Sequence, residues 1–236
     1  MFTLFFVNDL PNKAGLSYEF NNEDAQHAIR VLRTKPGDEF MLSDGNGSWA
    51  QIKAVEIGKK SIQVQVLDIG YQEPLATTIT VVQALPKGDR AKEAIELLTE
   101  AGVDQIVPWA SARSIGKASD KFAITAREAS KQSRRFRIPQ VSQVATTVQI
   151  CEAIAVSDLA IVFHESATQK LSDQVSSHNV ANLLIIIGPE GGLTDEEVAA
   201  FVVAGAKVAL MGRPILRSAH AGIAAVSAVS ALLKVW

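Results

Sequence analysis

Five apolar residues in an unbroken row, Leu183-Leu184-Ile185-Ile186-Ile187, run straight into Gly188-Pro189-Glu190-Gly191-Gly192-Leu193. A strand without polar alternation must be buried on both faces, as happens in parallel sheets covered by helices on either side. Thr194 with Glu197 three residues later is a capping box that opens a helix. The glycines between them therefore form a strand-to-helix turn, and the junction calls for an α/β sheet with crossover helices. The chain's 236 residues suffice for one such domain and a smaller partner.

The spacing places that partner first. Ile62, Val64 and Val66 alternate with Gln63 and Gln65, the period of a half-buried strand. Asp44-Gly45-Asn46-Gly47 reads as a hairpin turn. A helix is expected from Glu23 to Arg33 after an Asn22 cap. The first 72 residues thus read as a small barrel or sandwich. After Tyr71-Gln72-Glu73-Pro74 strands alternate with helices. Strands are expected at 79–85, 105–109, 159–163, 182–187 and 208–211. Helices are expected at 91–101, 122–135, 148–155, 195–204 and from Ala219 onward, giving an α/β domain over 73–236.

Charge is unevenly spread. The formal net charge is −2, yet residues 111–140 hold eight cations (Arg113, Lys117, Lys121, Arg127, Lys131, Arg134, Arg135, Arg137) against two acids. The densest part, Lys131 to Arg137 with Phe136 embedded, suits phosphate contacts beside a stacking residue, although charge runs also serve as plain solvated faces. Lys87 and Arg90 add cations after a strand. Arg30 and Arg33 extend the same surface or form a plain exposed helix face. Cys151 is the single cysteine, so no internal disulfide is possible and a reducing compartment fits. Met1 to Leu10 lacks the pattern of an export signal, so a cytoplasmic location is expected. The apolar stretch from Ala219 to Trp236 is short and rich in Ala and Ser, which favours a packing helix over a membrane span. No His or Cys pair has metal-ligand spacing, so no metal is expected.

Two loops are candidates for chemistry. The Ile187–Gly191 turn leaves a strand's carboxyl end, where open α/β sheets bind ligands; a tight turn with nothing bound explains the same residues equally well. It is neither of the familiar phosphate loops, because its glycines have the wrong spacing and no lysine follows them. The second loop, Leu210 to Arg217, follows the last strand and contributes Arg213, Arg217 and nearby His220. His164 and Glu165 end another strand where these loops converge. His27 and His178 lie in polar surroundings and are expected at the surface.

With these residues in view, the sequence resembles the RsmE family of ribosomal RNA small-subunit methyltransferases, within the SPOUT superfamily. The likeness rests on His27 to Arg33, Gln83 to Arg90, Gln132 to Pro139, Ile187 to Leu193 and Gly212 to Arg217, spanning nearly the whole chain. It implies a PUA-like β-barrel followed by an α/β methyltransferase domain with a C-terminal trefoil knot, working as a homodimer. It implies S-adenosylmethionine as donor and N3 of a decoding-region uridine in 16S rRNA, on the small ribosomal subunit, as acceptor. Carried over by position, the donor would lie against Ile187, Gly188, Pro189, Glu190 and Gly191, and against Leu210, Gly212, Ile215, Leu216 and Arg217, with His164 and Glu165 nearby. Arg30, Arg33, Lys87, Arg90, Lys131, Arg134, Arg135 and Arg137 would hold the RNA.

Arg217 matches the arginine of the family's Leu-Arg motif. It cannot serve as a base, because guanidinium stays protonated, but it can stabilise charge developing on uracil oxygens. The chain departs from the family where Thr-Glu-Thr-Ala gives way to Ser218-Ala219-His220-Ala221, and where Lys131 replaces an acid. An imidazole can accept a proton near neutral pH, so His220 is the candidate to replace the missing glutamate. The same departure leaves open a non-catalytic RNA-binding or ribosome-assembly factor of the same fold. An enzyme of this superfamily acting on another RNA shares every motif.

Overall fold

The computed structural model describes residues 2–117, 119–175 and 179–235; His178 and Trp236 lie outside them. In chain order the elements are β1 (Leu4–Phe6), β2 (Ser17–Phe20), α1 (Glu23–Arg30), β3 (Glu39–Ser43), β4 (Ser48–Ile57), β5 (Ile62–Tyr71), β6 (Thr78–Ala84) and α2 (Arg90–Glu100). There follow β7 (Gln105–Trp109), α3 (Lys121–Ser133), β8 (Gln140–Val141), α4 (Thr147–Ala155), β9 (Leu159–Phe163) and α5 (Leu171–Gln174). The chain ends with β10 (Asn182–Ile187), α6 (Asp195–Ala204), β11 (Lys207–Ala209) and α7 (Ser218–Leu233). They form two compact units: Met1–Pro74 with Ser130–Ile138, and Leu75–Ala129 with Pro139–Trp236.

The first unit is a five-stranded sheet in the order β1-β3-β4-β5-β2, antiparallel except for the β1/β3 pair. Its alternating apolar positions face inward with the buried alanines of α1, around Phe5, Phe20 and Phe40, whose ring centroids are 5.4–6.0 Å apart. Asn22 caps α1 by accepting from the Ala25 amide, as its sequence predicts. The helix stops at Arg30 rather than Arg33, because the Thr34 amide and hydroxyl both donate to the Ala28 carbonyl and close the helix early.

Ser130–Ile138 folds with this first unit, although its neighbours in the chain belong to the second. Ile138 donates its amide to the Gly45 carbonyl, and Gly47 donates to Phe136. The Phe136 ring stacks on Trp49 at 5.9 Å. Gly47 has a φ of 109°, and a Cβ there would sit 2.5 Å from Arg137 Nη2, so the β3–β4 turn admits only glycine at this point.

The second unit is a six-stranded sheet in the order β11-β9-β10-β6-β7-β8, with every pair parallel. In β10, Leu183, Ile185 and Ile187 pack towards α2, α3 and α7, while Leu184 and Ile186 face α4, α6 and Trp109. This two-sided burial is what the unbroken apolar run requires. On the second face Trp109 meets Phe201 edge-on at 5.3 Å. The α3 helix ends at Ser133, two residues before the expected Arg135, because Arg134 adopts a left-handed φ of 58°. No helix of the described residues is long and apolar enough to cross a membrane.

Candidate functional site

The chain enters the second sheet at β6, builds outward to β7 and β8, and then returns on the other side, with β10 inserted between β9 and β6. Loops leaving such a reversal point diverge and open a crevice at the strands' carboxyl ends. A cleft of about 590 Å³ lies there. Its walls are Phe163 to Glu165 at the end of β9, Ile187 to Glu190 with Gly192 and Leu193 after β10, Leu210 to Ser218 after β11, Ala221 on α7, and Arg90 at the start of α2.

The structure thus brings together His164, Glu165, Ile187, Gly188, Pro189, Glu190, Leu210, Gly212, Ile215, Leu216 and Arg217. Gly191 lies in the same turn without lining the cleft. Its carbonyl instead accepts from Arg113 Nη1 at 2.9 Å, and that nitrogen also lies 3.3 Å from the Leu193 carbonyl. Arg113, read from sequence only as part of a basic block, is therefore a brace for the turn. Glu197 supplies a second brace. Its carboxylate accepts from the Thr194 amide at 2.9 Å, completing the capping box, and from the Ala112 amide at 2.7 Å.

Electrostatically the cleft is mixed. Glu190 accepts from the Lys87 amide at 3.2 Å and lies 3.6 Å from Arg90, so Arg90 belongs to the cleft rim rather than to a separate cationic patch. Arg213 and Arg217 are both exposed along the Leu210–Arg217 loop. The backbone N–H of Ser166 can only donate, and it points at His164 Nδ1 at 3.3 Å, with the Ser166 hydroxyl 2.7 Å from the same nitrogen. This network assigns the neutral ring's proton to Nε2, leaving His164 a hydrogen-bond donor.

His220 does not line the cleft. It lies in the first turn of α7 with Nε2 3.3 Å from Glu93 Oε1 on α2. Ser218 and Gln83, absent from the expected site, are part of its construction. The buried Gln83 amide donates to Ser218 Oγ at 2.9 Å, and that hydroxyl donates to the Gly188 carbonyl at 2.7 Å. The signal for Gln83 was a polar residue at an inward position near the end of a buried strand. Among the described residues no cluster of three or more His, Cys, Asp and Glu could hold a metal ion.

The expected RNA-binding residues separate into two groups. Lys131 Nζ sits 2.6 Å from Asp24 Oδ1 with both side chains mostly buried. Arg137 donates to the Gln72 carbonyl and the Tyr71 hydroxyl and lies 5.0 Å from the Tyr71 ring. Both cations have partners within the first unit. Arg30, Arg33, Arg134 and Lys87 are exposed, and Arg135 is half-buried.

Residues 72–230 match a family described as an RNA methyltransferase domain, and residues 20–67 match an RNA methyltransferase PUA domain. The chain is 34% identical to Ribosomal RNA small subunit methyltransferase E of Mycobacterium bovis, over 99% of this chain and 93% of that protein. It is 29% identical to the protein of the same name from Bacillus subtilis, over 91% and 90% respectively. A crystal structure of Ribosomal RNA small subunit methyltransferase E from Neisseria gonorrhoeae, bound to S-adenosyl methionine, shares the fold with a TM-score of 0.86, covering 98% of each chain at 24% identity. With matching family models over both parts and a relative 34% identical along nearly its whole length, the chain belongs to the ribosomal RNA small subunit methyltransferase E family.

Proposed function

We propose that this protein methylates N3 of a uridine in the decoding region of 16S rRNA, using S-adenosylmethionine, on the small ribosomal subunit in the cytoplasm. The observation that carries the reading is the cleft at the reversal point of the sheet, walled by two backbone-rich loops with Arg217 at its rim. Its lining fits the donor. Backbone N–H and C=O groups of Gly188 to Leu193 and of Leu210 to Leu216 would hold a base edge, with Ile187, Leu193 and Leu210 giving apolar surface for a flat ring. When bound, the donor supplies an electrophilic methyl group on a sulfonium.

The remaining work falls to the chain. Arg217 holds the uracil oxygens on which charge develops and aligns N3, positioning that by itself lowers the barrier. N3 must lose its proton as it attacks. Arg217 stays protonated and His164 is held as a donor, so neither takes it. Glu165 lines the cleft and makes no hydrogen bond among the described residues, so its carboxylate can accept that proton. Because pairing would block N3, the uridine must be unpaired or extruded. Arg30, Arg33, Lys87, Arg134 and Arg135 are the cations we assign to rRNA phosphates.

We further assign the methyltransferase unit to the SPOUT type with a trefoil knot, acting as a homodimer. Support for the knot is that α7 follows edge strand β11 yet packs across β10, β6 and α2, while the segment after β9 holds Leu210 through Gln169. Exposed Ile215 and Leu216 support a second copy closing over the cleft. A second reading, an RNA-binding factor without catalysis, is favoured by His220 facing Glu93 rather than the cleft.

Single-turnover methylation of small subunits lacking the modification, with the methylated nucleotide mapped, tests the proposal. The expected result is one N3-methyluridine in the decoding region, reduced about 10²-fold or more by Arg217→Ala while calorimetric donor binding persists. Methylation elsewhere refutes the substrate assignment. Absence of saturable donor binding by the unaltered protein favours the non-catalytic factor.

A further inference from the structure

Gln83 is 3% exposed near the end of β6, and Ser218 is 6% exposed at the start of α7. Gln83 Nε2 donates both to the Ala84 carbonyl at 3.0 Å and to Ser218 Oγ at 2.9 Å, and Ser218 passes the chain on to the Gly188 carbonyl at 2.7 Å. Gln83 Oε1 is buried with no hydrogen-bond partner and faces Gly222, where a Cβ would lie 3.4 Å away. A buried orphan acceptor is unfavourable, and an apolar side chain of the same length would avoid it. An amide at this position is therefore explained by what its nitrogen donates.

Those donations join the two walls of the cleft. Gly188 begins one loop, and Ser218 immediately follows Arg217, which ends the other. Taken with the donor-binding reading, on which this inference rests, we infer that Gln83 and Ser218 are positioning residues: one buried relay sets the spacing between the Gly188 turn and Arg217, and so fixes donor and uridine at the reacting distance. Gln83 does not line the cleft, so it acts through Ser218 rather than on a ligand.

The test uses the full-length protein with Gln83→Met, Ser218→Ala, Ser218→Thr and the Gln83→Met/Ser218→Ala pair. Donor affinity is measured by calorimetry, single-turnover methylation by mapping on small subunits, and folding by thermal unfolding. Loss of the relay is expected to weaken donor binding about tenfold and to slow methyl transfer at saturating donor. The double variant is expected to be no worse than the poorer single one, because both remove the same relay. Ser218→Thr restores a hydroxyl and recovers affinity relative to Ser218→Ala. Additive losses, equal losses in Ser218→Thr and Ser218→Ala, or a lowered melting temperature with unchanged affinity and rate each overturn the relay. If the unaltered protein itself shows no saturable donor binding, the functional reading has failed instead, and the melting data alone still report whether the two residues are coupled in folding.

Discussion

Two cations three residues apart show how little a charge count says about a single residue. Lys131 is mostly buried at 2.6 Å from Asp24, whereas Arg134 is exposed. Removing one member of a buried pair leaves the other charge uncompensated, so Lys131→Ala is expected to destabilise the protein by about 3 kcal/mol in urea unfolding. Arg134→Ala is expected to leave stability within about 0.5 kcal/mol and to lower RNA affinity. It should also flatten the dependence of log affinity on log salt by about one unit, measured by filter binding across ionic strength. The basic block itself was legible in the sequence. Which of its members faces water was not, because Asp24 lies 107 positions away from Lys131. The neighbour of His220 was hidden for the same reason, since Glu93 is as remote in sequence as it is close in space.

At the scale of elements the sequence was most informative where one physical requirement dominated. Strand β10 was expected over 182–187 and is found there, and the expected capping box of α6 forms. Short elements such as α5 and β8 escaped notice, being too brief to establish a period. The second function of Glu197 was also invisible. The capping box foretold its bond to Thr194, but not that its carboxylate also takes the Ala112 amide from the other side of the turn. Glu197 is 6% exposed, so Glu197→Ala strips two amides of their acceptor in a place with little water. An expected loss of about 2 kcal/mol in unfolding free energy follows. Donor affinity should fall with it, because the turn carrying Gly188 to Leu193 loses one of its braces; calorimetry alongside denaturation checks both.

For the whole molecule, the contribution of Ser130–Ile138 to the first unit alters its electrostatic character. Met1–Pro74 holds seven cations and ten acids, and the returning segment adds four cations and no acid, so the unit becomes +1 while the second stands at −3. A split at residue 72 or 73, natural from the change in texture, does not contain this exchange, because nothing in the local pattern marks a segment that folds with strands sixty or more positions behind it. The fragment 1–74 is expected to give poorly dispersed amide spectra and to gain order when a peptide of residues 130–138 is added, as followed by titration. A fragment 1–74 already as stable as the unit in the intact chain would refute this.

The returning segment also bears on how the protein is made. A ribosome delivers residues in order, and the Trp49 ring meets its Phe136 partner only after some ninety further residues have been added. The small N-terminal unit therefore cannot complete itself as it emerges. It must remain incomplete while β6, α2, β7 and most of α3 are synthesised.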